Sequence, residues 1–303
     1  MIEHIVRLPL DYTHGLTIFV FGDMQYGSTG FREEAWQDFE AHFRKTKNTY
    51  AIGLGDYLDF TRPTMRKMLD SLCTKDDGFR AQVDSMAQRL INDVMDKMAF
   101  LKGHCIEIHE GHHTYKFSDG TTADQRIAAH LKAPFAGWLS TVRLALEKPR
   151  TTSIGTDFAC TIVSAHGEGS ARTVPGDFRR QEQDMGFILA DVTCRGHGCK
   201  SGTWSPGQFT EVRRRGPAGH RTHTQRFVSV GGFSGGYTDG WNADYVERAG
   251  YRPMPCRWGV IELKIDRCNL AQDAAGLPRR KNAPRRLAIK TYTDGPDRYV
   301  TQD

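Results

Sequence analysis

The sequence lacks any hydrophobic run approaching the ~20 residues that a helix needs to cross a bilayer, so we expect no membrane span in its 303 residues. Its first fifteen residues carry charges within every apolar stretch, which does not match a signal peptide. The seven cysteines are irregularly spaced and odd in number, which predicts free thiols in a reducing compartment. These features together predict a soluble, cytoplasmic protein.

A strong excess of one charge is also missing. The sequence has 41 basic and 36 acidic residues, a formal charge of +5, which permits a polyanionic partner without requiring one. Internal repeats and long low-complexity linkers are absent. Hydrophobic residues make up 39% of the chain, enough for a sizeable core, which excludes an intrinsically disordered protein.

Polar side chains follow several apolar, β-branched runs, at the points where strands are predicted to end. Loops at the carboxyl ends of strands are where an α/β fold places its chemistry, so we expect these side chains to form one site. The clusters, in chain order, are Asp23 and Gln25, Asp56 and Asp59, His112 and His113, His166, and His197 and Cys199.

The remaining periodicities predict alternating helices and strands. Thr122, with Gln125 three residues later, predicts a capped helix that runs to Leu131. Residues 138–146 fit a helix or a strand equally well. Further helices are predicted at 31–45, 83–98 and 177–188, and further strands at 209–213, 226–230, 258–265 and 287–292.

The five clusters, in this order, resemble the motifs of the calcineurin-like metallophosphoesterase family: Asp-x-His, Gly-Asp-x-x-Asp, Gly-Asn-His-Glu/Asp, a lone His, then Gly-His-x-His. The match covers about residues 16–200, and residues 231–263 also resemble the closing region of phage and prophage members. If the protein is phage-encoded, it would act in the host cytoplasm.

The resemblance implies an α/β fold, a four-layer α/β/β/α sandwich of two mixed sheets, with metals at the strand ends. Residues 1–270 would form the metallophosphoesterase domain. Residues 271–303 would add a basic loop and a final strand packed on the same domain. The strands predicted after residue 205 would build the second sheet.

The resemblance also implies two divalent metal ions, with manganese preferred and zinc, iron, nickel or magnesium as alternatives. Two cations about 3.5–4 Å apart neutralise a phosphate, generate hydroxide and stabilise the leaving oxygen. Asp56 would bridge them. The first ion would take Asp23, Gln25, Asp56 and Cys199, and the second Asp56, His112, His166 and His197.

Two further residues receive catalytic roles from the resemblance. His113 would protonate the leaving group or hold the phosphate, and Asp59 would orient His113 through a hydrogen bond. Three positions depart from the family pattern in ways that weaken the site. Gln25 and Cys199 stand where histidines are usual and leave the first metal site weaker, and Thr114 replaces the usual acid. His112 replaces an asparagine and strengthens the second site.

The predicted function is a metal-dependent phosphohydrolase in which a metal-bound hydroxide attacks phosphorus. The basic surface and the glutamine variant favour a phosphodiesterase acting on nucleotide or nucleic-acid phosphodiesters. One alternative is a serine/threonine phosphoprotein phosphatase, a phosphomonoesterase. An alternative of another class is a catalytically degenerate module that binds nucleic acid or a protein.

Several residues admit a second interpretation. Cys199 fits a small buried thiol that binds nothing as well as it fits a ligand. His220 and His223 mimic the final motif, but their spacing differs by one residue, so we prefer residues 196–199. The basic clusters at 213–215 and 279–281 are most often solvated surface, and beside a metal cleft they would suit a polyphosphate backbone.

Overall fold

The computed structural model describes residues 1–9, 14–60, 63–147, 158–169, 171–212, 219–236, 245–248, 250, 255–267 and 285–295. The helices are α1 (Glu33–Lys45), α2 (Pro63–Cys73), α3 (Asp77–Lys97), α4 (Ala123–Leu131), α5 (Val174–Met185) and α6 (Tyr245–Arg248). The strands are β1 (Ile2–Pro9), β2 (Leu16–Phe21), β3 (Thr49–Gly53), β4 (Cys105–His109), β5 (Phe135–Gly137), β6 (Leu139–Glu147), β7 (Phe158–Ala165), β8 (Val192–Arg195), β9 (Gly202–Trp204), β10 (Gly207–Val212), β11 (Gly219–Thr224), β12 (Arg226–Ser229), β13 (Trp258–Arg267) and β14 (Arg285–Asp294).

Most of these strands form two six-stranded mixed sheets. The first sheet has the order β14-β13-β2-β3-β4-β5, in which β2 to β5 run parallel, β13 is antiparallel to β2, and β14 is antiparallel to β13. The second has the order β1-β6-β7-β8-β12-β9, in which β7, β8 and β12 run parallel. β10 and β11 pair only with each other in this described part of the chain.

The apolar core lies in three layers that follow from the composition of the strands. The continuous hydrophobic run of β2 is buried on both of its faces. Ile18 on one face packs with Val142 and Ile162 of the second sheet, and Phe19 on the other packs with Phe39 of α1. A smaller cluster joins Met185 of α5 to the outer face of the second sheet. The layers are therefore helix, sheet, sheet and helix, as the resemblance implied.

Several predicted elements are confirmed. The capping box of α4 is present: Thr122 Oγ1 accepts from the Gln125 N–H at 3.2 Å, and the Gln125 side chain accepts from the Thr122 N–H at 2.8 Å. The ambiguous segment 138–146 is resolved as strand β6. Its residues pair on both sides, parallel with β1 and antiparallel with β7, and this tertiary pairing decides between the two local readings.

The prediction that the strands after residue 205 build the second sheet is wrong. Only β12 joins that sheet, whereas β13 pairs with β2 and β14 pairs with β13, so both extend the first sheet. The second sheet draws most of its strands from earlier in the chain, including the N-terminal β1, which pairs in parallel with β6. Within the part of the chain that the structure describes, no helix has the length and apolar character to cross a membrane.

Candidate metal centre

The predicted site residues lie at one edge shared by the two sheets. β2, β3 and β4 are neighbouring parallel strands of the first sheet, and β7 and β8 are neighbouring parallel strands of the second. The carboxyl ends of these strands therefore meet at the same edge, as in other α/β folds that bind ligands there. Each strand is followed within a few residues by one of the predicted polar clusters.

Close packing of the loops is possible because two of them meet through glycines. Gly55, between β3 and Asp56, has a left-handed backbone with φ +96°, which residues with a side chain adopt at a cost. A Cβ at this position would lie 2.7 Å from the Cα of Gly111, in the loop that carries His112 and His113. The glycine pair thus brings the β3 and β4 loops into backbone contact.

Four side chains form the centre of the site. Asp56, His112, His166 and His197 each offer one ligand atom, and these atoms all lie within 4.8 Å of one another. Asp56 and His166 are buried, whereas His112 and His197 are half-buried. These four are the residues assigned to the second metal ion by the resemblance, and they come from both sheets.

His166 is fixed in the orientation that a ligand needs. Its Nδ1–H donates to the carbonyl of Leu54 at 2.6 Å, which leaves Nε2 facing the Asp56 carboxylate, with Nε2 to Oδ2 at 3.3 Å. Such a second hydrogen bond from the ring is the usual way in which a protein sets the tautomer of a ligating histidine. Burial alone would lower the pKa of His166, but the Asp56 and Asp23 carboxylates raise it to about 9.

The other two imidazoles are held in the neutral form. Burial, together with the neighbouring His166, lowers the pKa of His112 to about 4. Burial and the charges of His166 and His112 lower the pKa of His197 to about 3. At neutral pH both rings therefore carry a free lone pair, which is the form that binds metal ions.

Two carboxylates differ in their electrostatic surroundings. Burial alone would raise the pKa of Asp56, but His166 and His113 hold it well below its usual range, so Asp56 is ionised at neutral pH. Burial raises the pKa of Asp23 to about 6 against the opposing charge of His166. Asp23 Oδ2 accepts from the His197 N–H at 2.8 Å, which connects the β2 loop to the β8 loop.

His113 and Asp59 form the pair that the sequence predicted. His113 Nδ1 lies 2.8 Å from Asp59 Oδ1, and its backbone N–H donates to Asp56 Oδ1 at 2.8 Å. Its Nε2 lies 3.9 Å from Asp56 Oδ2, so this nitrogen faces the cluster. Burial would lower the pKa of His113, but the hydrogen bond to Asp59 and the charge of Asp56 raise it.

The remaining predicted ligands lie beside the cluster and are not gathered as tightly. Among the residues that the structure describes, the only group of three or more His, Cys, Asp or Glu ligand atoms this close is the one above. Gln25 lies in the β2 loop, where its backbone N–H donates to the Asp56 carbonyl at 2.8 Å. Cys199 is half-buried in the β8 loop, and burial with the nearby Asp23 charge raises the pKa of its thiol.

The donor set fits a divalent metal ion. His112 Nδ1 and Asp23 Oδ1 are buried atoms that have no hydrogen-bond partner within the described structure. Buried polar atoms are ordinarily hydrogen-bonded, so two such atoms at one strand edge indicate a missing ligand. Three imidazoles and a carboxylate suit zinc, iron, nickel or manganese. A buried Asp/His cluster that could hold a metal ion is thus present.

Sequence reasoning missed three residues that support this site. Arg195, fully buried at the end of β8, donates to the carbonyls of Glu168 at 2.9 Å and Gly169 at 2.6 Å, beyond His166. Asp124 of α4 accepts from the Gly111 N–H at 3.0 Å. Trp138 contacts two ligand imidazoles. None of these belongs to a short motif, so a pattern search could not find them.

Two other histidines lie away from the site, and the predicted basic clusters fall outside the described residues. His109 of β4 is buried between the sheets and bonds to Ser164 and Glu107 instead of joining the cluster. His223 Nε2 bonds to the carbonyl of Ala190 at 2.8 Å, which leaves residues 196–199 as the final motif. The basic clusters at 213–215 and 279–281 lie outside the described residues.

The fold and the site together define an α/β sandwich with a candidate metal centre at the shared edge of its sheets. No protein-family model matches the sequence, and no curated protein matches it.

Several solved structures match most of the chain, at low identity and low TM-score. One is Vps29 from Chaetomium thermophilum, with 11% identity, 93% of this chain and 98% of that chain covered, and a TM-score of 0.36. A doubly substituted Vps29 from Entamoeba histolytica has 11% identity, coverages of 93% and 100%, and a TM-score of 0.35. A conserved uncharacterized protein and predicted phosphoesterase from Streptococcus pneumoniae has 10% identity, coverages of 91% and 98%, and a TM-score of 0.32.

Proposed function

We propose that this protein is a metal-dependent phosphohydrolase whose preferred substrates are phosphodiesters of nucleotides or nucleic acids. The observation that carries the proposal is the buried cluster of Asp56, His112, His166 and His197 with the His113–Asp59 pair directly beside it. A metal-binding site alone would need no second histidine whose ring is oriented by its own carboxylate. The resemblance of residues 231–263 to the closing region of phage metallophosphoesterases stays a prediction.

Divalent ions held by these ligands would neutralise the phosphate charge and lower the pKa of a bound water. The protein's own groups would do the rest. Asp56, ionised and fixed by the His113 N–H, would hold the centre of the site. His166, anchored on the Leu54 carbonyl, would present Nε2 from the second sheet. These hydrogen bonds keep the ligands in place before any substrate arrives, so little reorganisation is needed.

His113 would act on the leaving group. Asp59 holds its Nδ1, so the proton on Nε2 points to the space beside Asp56 where a phosphate oxygen would lie. The raised pKa of His113 keeps that proton available in the metal-free protein. Donation of this proton to the departing oxygen is general acid catalysis, which typically contributes about 10²–10⁴-fold to the rate.

In this proposal, the first metal position binds its ion less strongly than the second. Asp23, Gln25 and Cys199 would complete it; the Asp23 and Cys199 side chains lie outside the close cluster, and Gln25 offers only a neutral amide oxygen. We therefore propose one tightly bound ion and a second that binds less strongly. The same observation favours the alternative of a catalytically degenerate binding module, in which a single ion or none supports the loops. The phosphoprotein phosphatase reading uses the same ligands and differs only in substrate.

Metal-dependent turnover tests these proposals. The protein would be stripped with a chelator, reloaded with manganese, zinc, magnesium or nickel, and assayed on a bis-aryl phosphate diester beside the aryl monoester. Diester cleavage restored by one of the metals is the expected result. Monoester cleavage alone would instead favour the phosphatase, for which a phosphopeptide is the next substrate. Silence with every metal, despite stoichiometric binding, would contradict the enzyme and favour the binding module.

A further inference from the structure

The structure carries an inference about which phosphate esters the site would select. We propose that Trp138 is a stacking surface for an aromatic group on the substrate, above all a nucleobase. The proposal rests on the proposed phosphohydrolase function, because it assumes that a phosphate binds at the cluster. It adds a substrate-selecting residue to a site for which ligands and an acid alone have been assigned.

Trp138 is held firmly by its position in the chain. It is the single residue between β5, the edge strand of the first sheet, and β6 of the second. On one side, the Gly137 carbonyl accepts from the Glu110 N–H at 2.9 Å and from His109 Nδ1 at 3.0 Å. On the other side, Leu139 pairs in register with Ala165, one residue before His166. Both neighbours are therefore fixed at the edge that carries the site.

The indole lies against the ligands yet remains open to solvent. Its ring centroid is 4.6 Å from that of His112, at an interplanar angle of 86°, and 5.7 Å from that of His166, at 74°. The side chain is 39% exposed, whereas Trp36 and Trp258 are at most 1% exposed within the core. A large apolar ring that contacts two candidate ligands and still faces water is suited to contact a bound molecule.

The expected size of the effect follows from base stacking on aromatic side chains. Loss of one stacking partner weakens nucleic-acid binding by about one to two powers of ten. The indole is already rigid, so little conformational freedom is lost when a base stacks on it. We expect a preference of about tenfold for a phosphate that carries a base over the same phosphate without one.

The matched ligands are adenosine 5′-monophosphate and ribose 5-phosphate, which share the sugar phosphate and differ in the base. Binding to the metal-loaded protein would be measured by equilibrium dialysis in a His113→Ala background, which removes the proposed acid and keeps the ligands intact. Trp138→Phe retains a ring, and Trp138→Leu retains apolar volume without one. Phe187→Leu, at a residue 77% exposed just past α5, is the control for loss of an exposed ring elsewhere.

We expect a preference of about tenfold for the nucleotide in three proteins: the His113→Ala background, Trp138→Phe and Phe187→Leu. We expect Trp138→Leu to bind both ligands with the same affinity. The nucleotide should also quench tryptophan fluorescence in the background protein but not in Trp138→Phe, even though that variant still binds. A role limited to covering His112 predicts weaker metal binding in Trp138→Leu with the nucleotide preference unchanged.

Two outcomes would overturn the stacking proposal while leaving the proposed function intact: equal binding of both ligands by the background protein, or an undiminished preference in Trp138→Leu. Failure of the metal-loaded protein, with His113 present, to bind or cleave any phosphate would instead contradict the proposed function, and the stacking proposal with it. Circular dichroism and metal content of each variant separate these outcomes from misfolding. If Trp138→Leu does not fold, the fluorescence comparison between the background protein and Trp138→Phe decides the question.

Discussion

A buried carboxylate–imidazole pair between the two sheets offers a sharp test of how the candidate metal site is supported. Glu107 and His109 lie on β4, both fully buried, with Glu107 Oε1 3.3 Å from His109 Nε2. His109 Nδ1–H donates to the Gly137 carbonyl at 3.0 Å, so both ring nitrogens lie within hydrogen-bond distance of oxygen atoms. Ser140 Oγ of β6 donates to Glu107 Oε2 at 2.7 Å, and Ser164 Oγ of β7 donates to Oε1.

This cluster joins the strand that precedes His112 and His113 to the strand that precedes His166. Leaving a buried hydrogen-bonding group without its partner typically costs ~1–3 kcal/mol. We expect Glu107→Leu to lower the free energy of unfolding by about this amount. Replacing both members by apolar residues should cost much less than the sum, because the Ser140 and Ser164 hydroxyls lie 3.1 Å apart and can bond to each other.

The measurement is a double-mutant cycle of Glu107→Leu, His109→Leu and the double variant, followed by urea unfolding of the metal-free protein at pH 7. We expect a coupling energy of about 2 kcal/mol. Glu40→Leu is the matched control, since Glu40 pairs with Arg44 at 2.8 Å on the exposed face of α1. Exposed pairs of this kind contribute about 0.5 kcal/mol or less. A coupling energy below roughly 0.5 kcal/mol would refute a stabilising interaction between Glu107 and His109.

The same cycle has a predicted pH dependence. Burial would raise the pKa of Glu107, but hydrogen bonds from His109, Ser164 and Ser140 hold it below its ordinary value of 4.5. A carboxyl group whose pKa is lowered on folding stabilises the folded protein at pH values above its ordinary pKa. This stabilisation is lost as the pH falls through the pKa that the group has in the folded protein. The difference in stability between the wild type and Glu107→Leu should therefore shrink as the pH falls below about 4. A difference that stayed constant down to pH 2 would contradict the assignment.

The remaining predictions concern the metal and the acid. Asp56→Asn should remove tight metal binding, measured by metal analysis after dialysis, and full retention of metal and activity would contradict the cluster as a metal site. His113→Ala should lower turnover by about 10²–10⁴-fold with metal content unchanged, and Asp59→Asn should lower it by about 10–100-fold through the misoriented ring. Cys199→Ser should leave the first equivalent of metal bound and weaken only a second, followed by titration calorimetry; loss of the first equivalent would place the thiol in the tight site.

The sequence predicts the residues of the candidate site more completely than it predicts the order of the strands that carry them. Short motifs after apolar runs locate Asp56, His112, His166 and His197 because the chemistry needs fixed residue types at a strand end. The order of strands depends on pairing between distant segments, which leaves no local pattern. The sequence of β13 is that of an ordinary strand. It does not indicate that β13 pairs with β2 instead of joining the second sheet.

Residues that act through packing are the ones that the sequence conceals. Trp138 has no neighbouring motif, and its segment fits a helix or a strand until its pairing partners are known. Arg195 reads as a basic residue of the kind found on surfaces, yet it is fully buried and bonds to two carbonyls of the His166 loop. Burial and contact across the two sheets assign these roles, and both are properties of the folded chain.

The backbone conformation of the predicted ligands relates those inside the close cluster to those assigned to the weaker metal position. Seven described residues other than glycine have a left-handed backbone, and five of them are predicted ligands: Asp23, Gln25, Asp56, His197 and Cys199. Such a conformation costs about 1–3 kcal/mol at a residue with a side chain and persists where the surroundings hold it. Here the loops hold one another, since the Asp23 N–H donates to the Gly55 carbonyl and the Gln25 N–H to the Asp56 carbonyl. Gln25 and Cys199 share this geometry with Asp56 and His197. The left-handed backbone is therefore shared by predicted ligands inside and outside the close cluster, which differ in the chemistry of their side chains.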